Sequence, residues 1–150
     1  MERQSPQPSS RNSVAQSQPG TLDLLGFTHY WCLSHRGSWV VKRKTARDRF
    51  SRALKKIGDW CRQNLHRPVA EQCRTLGQKL RGHFGYYGIT GNMDALKRFV
   101  CLAIRVWYRW LARRQRKGYF SWAAFRELLR RFPLPRATVM QSVYRSVANP

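Results

Sequence analysis

Apolar residues of this 150-residue chain recur three or four positions apart from Phe50 onward. That spacing places them on one face of an α-helix. Thr45 precedes the first such stretch and Asp48 lies three positions later, a pattern typical of a capping box at a helix start. Pro68 interrupts the pattern. A first helix is therefore predicted between Thr45 and Pro68, with an apolar stripe of Phe50, Leu54, Ile57 and Cys61.

Two further helices are predicted over Val69 to Tyr87 and over about Met93 to Gln115. Gly88–Gly91 reads as the turn between them, and Asn92 is a favourable N-cap for the later helix. The earlier helix has the stripe Cys73, Leu76, Leu80, Phe84 and Tyr87, and the later one has Leu96, Phe99, Val100, Ala103, Trp107 and Leu111.

A short fourth helix is predicted after Ser121, with Pro133-Leu134-Pro135 as its stop. Its inward residues are expected to be Trp122, Phe125, Leu129 and Phe132, with Arg126, Arg130 and Arg131 outward. We expect Lys117-Gly118 to separate it from the third helix. One more short helix is expected after Arg136.

The N-terminal third lacks the helical period. Runs over Leu24–Leu33 and Ser38–Lys44 are rich in aromatic and β-branched residues, and His35-Arg36-Gly37 between them predicts a β-hairpin. The preceding residues are mostly Ser, Gln, Pro, Asn and Arg, which predicts disorder. The expected fold class is mainly α, comprising a disordered leader (1–21), a hairpin (22–44), a helical bundle of three to four helices with its core at 45–117, and a helical extension (118–150).

The charge of the chain suggests a function for this predicted fold. The chain holds 29 Lys and Arg against seven Asp and Glu, a formal net charge of +22. Residues 42–117 carry 21 of the basic residues and four of the acidic ones, so the charge belongs to the bundle and not to a tail. A folded domain with a cationic coat and interspersed aromatic residues is typical of nucleic-acid binding.

Particular cations are candidates for contact with RNA phosphates. Four arginines are predicted to follow the third helix on the side away from its apolar stripe. Three cations occupy the polar face of the first helix, beside three more at the end of the hairpin. The predicted RNA-binding residues are Lys42, Arg43, Lys44, Arg49, Arg52, Lys56, Arg98, Arg105, Arg109 and Arg113.

Sequence motifs for catalysis or metal binding are weak. No two of the seven acidic residues form a close pair, as a two-metal site would favour. His29, Cys32 and His35 have ligand-like spacing, but alternation along a strand would place Cys32 opposite the two histidines. The glycines 82, 85, 88 and 91 do not form a dinucleotide fingerprint. We expect the first two to permit close helix packing and the other two to serve the turn. No cofactor, metal or small-molecule substrate is expected.

The stretch Lys79-Leu-Arg-Gly-His-Phe-Gly-Tyr-Tyr-Gly-Ile-Thr-Gly-Asn92 resembles the maturase-specific region of bacterial group II intron reverse transcriptase/maturases. Several flanking motifs agree with that family in the same order, so the resemblance covers roughly Leu24 to Tyr144. These flanking motifs are Leu25–Tyr30, Val41–Thr45, the Trp60 to Pro68 junction, Trp107–Leu111 and Phe132–Pro135.

The resemblance implies that residues 22–44 are the end of a polymerase palm and that the bundle is the thumb, called domain X. In that family the thumb binds intron RNA and assists its splicing. Tyr86 and Tyr87 match the family's motif, whose residues are expected to be largely structural, and the alternative interpretation places one of them beside RNA. The family's catalytic Tyr-x-Asp-Asp is absent from this sequence, and so are most of the palm and the endonuclease domain. The chain is therefore expected to be a truncated, non-enzymatic member.

The leading hypothesis is an RNA-binding maturase module of the bacterial cytoplasm whose partner is group II intron RNA. Three alternatives stay open from the sequence. The chain is an inert or poorly folded fragment of a decayed mobile element, or the thumb half of a split reverse transcriptase that needs a separate palm-bearing chain. The third, binding to anionic membranes through basic amphipathic helices, is disfavoured. An exposed apolar patch on the hairpin would support the fragment hypothesis.

Overall fold

A computed structural model describes residues 20–115 and 120–141. The chain begins with a three-stranded antiparallel sheet, in the order β1 (Leu22–Leu24), β2 (Phe27–Leu33) and β3 (Trp39–Thr45). Strand β2 is central: Leu24 pairs with Phe27 on one side, and Phe27 pairs with Thr45 on the other. The hairpin predicted for residues 22–44 is the β2–β3 pair.

Strand β1 was not predicted. It joins β2 through a two-residue turn, Leu25-Gly26, in which both residues have positive φ, 51° and 81°. Two consecutive left-handed residues give the tight type I′ turn that matches the twist of a hairpin. Because leucine rarely adopts this conformation, the turn at Leu25-Gly26 is not recognisable from the local residue types.

Helix α1 spans Arg47–Gln63, close to the predicted helix, but its predicted cap is wrong. The N-cap residue is Ala46, which provides no side-chain hydrogen bond. Thr45 is instead the last residue of β3, buried, and hydrogen-bonded to Asn92. The Asp48 carboxylate pairs with Arg52 and Arg49. The capping box is absent because both of its side chains have other partners.

Helices α2 (Val69–Tyr87) and α3 (Met93–Arg114) have the predicted bounds to within a residue. Phe50 of α1 contacts Phe99 of α3 edge-to-face, and Gly58 lies beside Val106 further along both helices. Helices α1 and α3 therefore run parallel. Helix α2 lies between them in the sequence and runs in the opposite direction. Four members of the predicted stripes, Phe50, Leu54, Tyr87 and Val100, are only partly buried. The others lie in the buried core, namely Ile57, Cys61, Cys73, Leu76, Leu80, Phe84, Leu96, Phe99, Ala103, Trp107 and Leu111.

Helix α4 spans Trp122–Arg131, and the Ser121 hydroxyl accepts a hydrogen bond from the Ala124 amide, as expected for an N-cap. Phe125 is fully buried against Trp107. Trp122, predicted to point inward, is 42% exposed. It lies on the rim of the core, where its ring contacts the half-buried Tyr108 and the buried Phe125. Leu129 and Phe132 are half-buried.

Of the four regularly spaced glycines, Gly82 and Gly85 do not have the role that was predicted for them. A Cβ added at Gly82 or Gly85 would meet nothing within 4 Å, so neither permits close helix packing. Gly91 has φ of 89° and serves the turn as predicted. Gly88 ends α2 at a crowded position, where an added Cβ would lie 2.2 Å from the Phe84 carbonyl oxygen.

The segment after α4 is not helical over residues 133–141. It crosses α2, with Pro135 beside Gly77, and its end bonds to the α2–α3 turn. The Met140 and Gln141 amides both donate to the Gly88 carbonyl, at 2.7 and 2.9 Å. The helix expected after Arg136 is thus absent from 136–141. Its remainder lies outside the described residues, as do the leader up to residue 19 and Lys117-Gly118.

None of the helices in residues 20–115 and 120–141 combines the length and apolar character that crossing a membrane requires.

Candidate nucleic-acid interface

A long groove of about 1710 Å³ lies between the sheet, α1 and α3. Its floor is apolar and includes Leu54, Gly58 and Val106, where the two parallel helices approach each other. Along α3 the lining extends from Asp94 to Arg113. At 1.5 Å per residue, this corresponds to roughly 28 Å. The parallel packing of α1 and α3 therefore creates a continuous channel on the surface.

The two ends of the groove differ in charge: one is mixed, because three carboxylates lie there near Lys44, Arg47 and Arg98, and the other is mainly basic. Asp48 and Asp94 occupy the first turns of α1 and α3, and Asp23 of β1 lies at the same end. Arg109 and Arg113 line the opposite end. Carboxylates are favoured at helix N-termini by the helix dipole. The complete charged lining comprises Lys44, Arg47, Lys55, Arg98, Arg109 and Arg113 with Asp23, Asp48, Asp59 and Asp94.

The negative charge of Asp48, at the mixed end of the groove, is partly neutralised by two arginines. A hydrogen bond from the Arg52 side chain, with the charge of Arg49 nearby, lowers the pKa of Asp48. Both arginines contact this carboxylate. In contrast, none of the six groove cations takes part in an ion pair with another described residue. Their charge is available to an anionic ligand.

Three aromatic rings line the groove, and each has a cation over its face. The Lys44 Nζ lies 5.1 Å from the centre of the Tyr30 ring, at the sheet. The Arg98 guanidinium lies 5.8 Å from the Phe50 ring, between α3 and α1. At the far end, the Arg113 guanidinium lies 4.9 Å from the Trp110 ring. Cations and π-faces therefore alternate from one end of the groove to the other.

Four of the ten predicted RNA-binding residues line this groove: Lys44, Arg98, Arg109 and Arg113. The other six are placed elsewhere. Arg49 and Arg52 pair with Asp48, and Arg43 occupies the opposite face of the sheet from Lys42 and Lys44. Lys42, Lys56 and Arg105 are exposed but do not line the groove.

Sequence reasoning missed four contributors to the groove. Arg47 and Lys55 were not singled out among the many cations of α1, and Tyr30 and Trp110 were not considered as ligand-facing aromatics. Tyr30 alternates with the outward apolar residues of β2, so the strand period alone places it with Lys44. The period of α3 places Trp110 next to the arginine row. Only the packing of α1 on α3 shows that these side chains share one channel.

Tyr86 and Tyr87, within the Lys79–Asn92 stretch, have structural roles. The Tyr86 hydroxyl donates to the Leu25 carbonyl, at 2.9 Å, and its ring stacks on Phe27. The Tyr87 ring contacts Phe27 and His83, and burial raises the pKa of Tyr87. These contacts fix the end of α2 to the β1–β2 turn. They agree with the interpretation that the two tyrosines are structural, not with a position beside RNA.

The other face of the sheet is largely apolar, also carries the cross-strand pair His29 and Arg43, and is mostly left uncovered by the described residues. Leu22, Leu24, Trp31, Leu33, Trp39 and Val41 share this face by the strand period and are each at least 46% exposed. Cross-strand pairs join Trp31 to Val41 and Leu33 to Trp39, so these four residues form one apolar cluster beside the His29–Arg43 pair. Within residues 20–115 and 120–141, the packed part of this face is its Phe27 end, which contacts Tyr86 and Tyr87.

The possible zinc ligands do not converge. His29 and Cys32 point to opposite faces of β2, as the strand period predicted. In the described parts of the chain, no three His, Cys, Asp or Glu side chains gather as a metal site requires. Burial raises the pKa of Cys61 to about 12 and also raises the pKa of Cys73. Both thiols therefore stay protonated at neutral pH and are poor nucleophiles.

Comparisons with protein-family models, with curated proteins and with solved structures find no match for this chain.

Proposed function

We propose that this protein is an RNA-binding module, similar to the thumb of group II intron maturases, that binds intron RNA and assists its splicing. The observation that supports it best is the row of Arg98, Arg109 and Arg113 along one wall of the groove, with no ion pairs to described acidic residues. Lys44, Arg47 and Lys55 add charge from the sheet and α1. The choice of intron RNA rests on the resemblance of Lys79–Asn92 and its flanking motifs.

The mechanism is electrostatic and does not involve catalysis by this chain. The groove cations displace the counterions condensed on the RNA phosphates, and the gain in counterion entropy drives binding. Selectivity comes from the shape of folded RNA, because a paired helix hides its base edges in a deep groove. Binding one folded arrangement of the intron then favours the splicing-competent state by mass action.

The uncovered apolar face of the sheet favours a second candidate function. Trp31, Trp39 and Val41 form a patch of the kind that marks protein interfaces. This supports the thumb half of a split reverse transcriptase, whose palm-bearing chain would cover the patch. The same exposure is also what a decayed fragment without its palm would show. Co-expression with a palm-bearing chain separates the two, since only a split enzyme forms a stoichiometric complex with polymerase activity.

The primary test is a salt-titrated binding assay that compares group II intron RNA with an unrelated structured RNA of equal length. We expect tighter binding to the intron RNA in the presence of competitor. Replacing the groove arginines (Arg98→Gln, Arg109→Gln, Arg113→Gln) should weaken binding and lower the log–log salt slope by about 2 to 3.

A matched variant changes the same charge on α4 (Arg126→Gln, Arg130→Gln, Arg131→Gln). All three of these arginines are exposed and lie outside the groove. We expect it to keep most of the affinity of the wild-type protein for intron RNA. Equal binding of the two RNAs would refute the maturase function, and equal losses in the two triple variants would refute the groove as the binding site.

A further inference from the structure

We infer that the groove binds an unpaired, single-stranded stretch of RNA, whose bases stack on its aromatic side chains. This inference rests on the proposed RNA binding and specifies its ligand. The three cation–aromatic pairs of Lys44 with Tyr30, Arg98 with Phe50 and Arg113 with Trp110 carry it. A cationic groove combined with stacking aromatics is the common design of single-strand binding sites.

The positions of the rings fit a strand that follows the groove. Tyr30 lies at the sheet, Phe50 near the start of α1, and Trp110 near the end of α3. Helix α3 alone separates the levels of Arg98 and Arg113 by roughly 22 Å. One nucleotide cannot contact both ends, so the sites serve successive nucleotides of an extended strand.

A base reaches these rings by sharing or displacing the cations that lie over them. Tyr30 and Trp110 are each half-buried, with one part of the side chain packed on the protein. The planar guanidinium of Arg113 itself offers a surface on which a base can stack. A base therefore either stacks on the guanidinium or takes its place over the indole, while the displaced arginine moves to the neighbouring phosphate.

A duplex does not satisfy these aromatic sites. Its bases are stacked on one another and paired at the axis, so the rings of a protein cannot reach their faces. Phosphate contacts alone would explain the arginine row but would leave Tyr30 and Trp110 without a ligand role. A single strand can place its bases on the rings while its phosphates meet the neighbouring cations Lys44, Arg98 and Arg113.

The test measures fluorescence anisotropy with a labelled 12-nucleotide RNA that cannot pair with itself and with the corresponding 12-base-pair duplex. We expect the wild-type protein to prefer the single strand. Trp110→Leu and Tyr30→Leu should each weaken single-strand binding about tenfold, the loss typical of one stacking ring. The salt slope should not change, because no phosphate contact is removed.

Two variants control for the removal of an aromatic side chain. Trp39→Leu changes a more exposed tryptophan on the opposite face of the sheet and should bind both RNAs as the wild-type protein does. Trp110→Phe keeps a ring at the site and should retain most of the affinity for the single strand. If Trp110→Leu proves unfolded by circular dichroism, Trp110→Phe and Tyr30→Leu decide the question.

Wild-type affinity in Tyr30→Leu and Trp110→Leu, or equal binding of single strand and duplex, would overturn the inference. Intron-selective binding can persist in either case, so the proposed function would stand alone. Conversely, loss of intron selectivity with retained single-strand stacking would refute the maturase function and keep the groove as a general single-strand site.

Discussion

Asn92 shows at the level of one residue how the sheet is joined to the bundle. Its side chain is 1% exposed and takes part in three hydrogen bonds. The Oδ1 accepts from the Thr45 amide, and the Nδ2 donates to the Thr45 hydroxyl and the Tyr87 carbonyl. Two residues that the sequence assigned to separate caps are thus each other's partners. Buried amides of this kind are costly to leave unpaired.

His83 is a second residue whose role depends on its surroundings. Its ring stacks on Phe99 with the centres 3.7 Å apart. The buried Nε2 has no hydrogen-bond partner among the described residues. Burial lowers the pKa of His83 to about 4. A protonated imidazole would be poorly solvated at this position, so the folded protein holds the neutral form.

Protonation of His83 is expected to weaken the fold in mild acid. Because its folded pKa is about 4 and its ordinary value is 6.5, the unfolded chain binds the proton more readily between those limits. The unfolding free energy should fall as pH decreases from about 6.5 towards 4, and it should lose roughly 1–2 kcal/mol after allowance for partial solvent exposure. Urea denaturation at pH 7 and 4.5 measures this loss.

The variant His83→Phe should remove this contribution, since phenylalanine can keep the stack on Phe99 without a titrating group. Its advantage over the wild-type protein should grow as pH falls, which separates this effect from carboxylate protonation common to both proteins. His35→Gln, at an exposed turn position, serves as the control. Parallel pH profiles for wild type and His83→Phe would contradict the assignment.

At the scale of elements, α2 and α3 show that a long periodic pattern is sufficient to predict where a helix begins and ends. Both helices have the predicted bounds to within a residue because long amphipathic repeats end at Pro68 and at the Gly88–Gly91 turn. Short-range signals were less dependable. Thr45 and Asp48 have the spacing of a capping box, yet tertiary partners take both side chains. Strand β1 was missed because a three-residue strand has almost no period.

Alanine substitutions at Gly82, in α2, and at Gly88, just after it, are expected to change the unfolding free energy in opposite directions. Gly82→Ala should stabilise the protein by about 0.5–1 kcal/mol, because the site is an exposed helical position with open space around the added methyl group. Gly88→Ala should destabilise it by more than about 2 kcal/mol, because the methyl group would meet the Phe84 and Thr138 carbonyl oxygens, at 2.2 and 2.9 Å. Thermal or urea unfolding of both variants checks this. A stable Gly88→Ala variant would show that the crossing by residues 138–141 is not fixed.

At the scale of the whole molecule, two opposing surfaces determine behaviour in solution. A formal charge of +22 makes copies of the chain repel one another. The apolar sheet face is a surface through which copies can associate. We expect self-association to rise with salt, because screening weakens the repulsion and leaves the apolar attraction intact. Light scattering at 0.1 and 1 M sodium chloride measures this dependence.

Trp39→Ser should reduce the salt-induced association, since Trp39 is 56% exposed on the apolar face, next to the β2–β3 turn. Met140→Ser alters a side chain that is 63% exposed away from the sheet, and it should associate as the wild-type protein does. If Trp39→Ser and Met140→Ser associate equally, the sheet face is not the surface that drives association.

The sequence by itself determined the classes of structure and the overall charge. Hydrophobic period specifies which segments form helices and which face of each is buried, and this information is local. It also established that most of the charge lies in the bundle, because the basic residues fall on the polar positions of the helices. The β2–β3 hairpin followed from two apolar runs with a turn between them.

Tertiary packing decided which of these surfaces act together. The parallel contact of Phe50 with Phe99 and of Gly58 with Val106 brings Tyr30, Trp110 and the arginines of α3 into one groove. The same packing diverts Arg49 and Arg52 to Asp48 and leaves the outer sheet face uncovered. A local period states where a side chain points on its own helix or strand. It does not specify which neighbour that side chain meets, because helix crossing and sheet docking depend on contacts between residues distant in sequence.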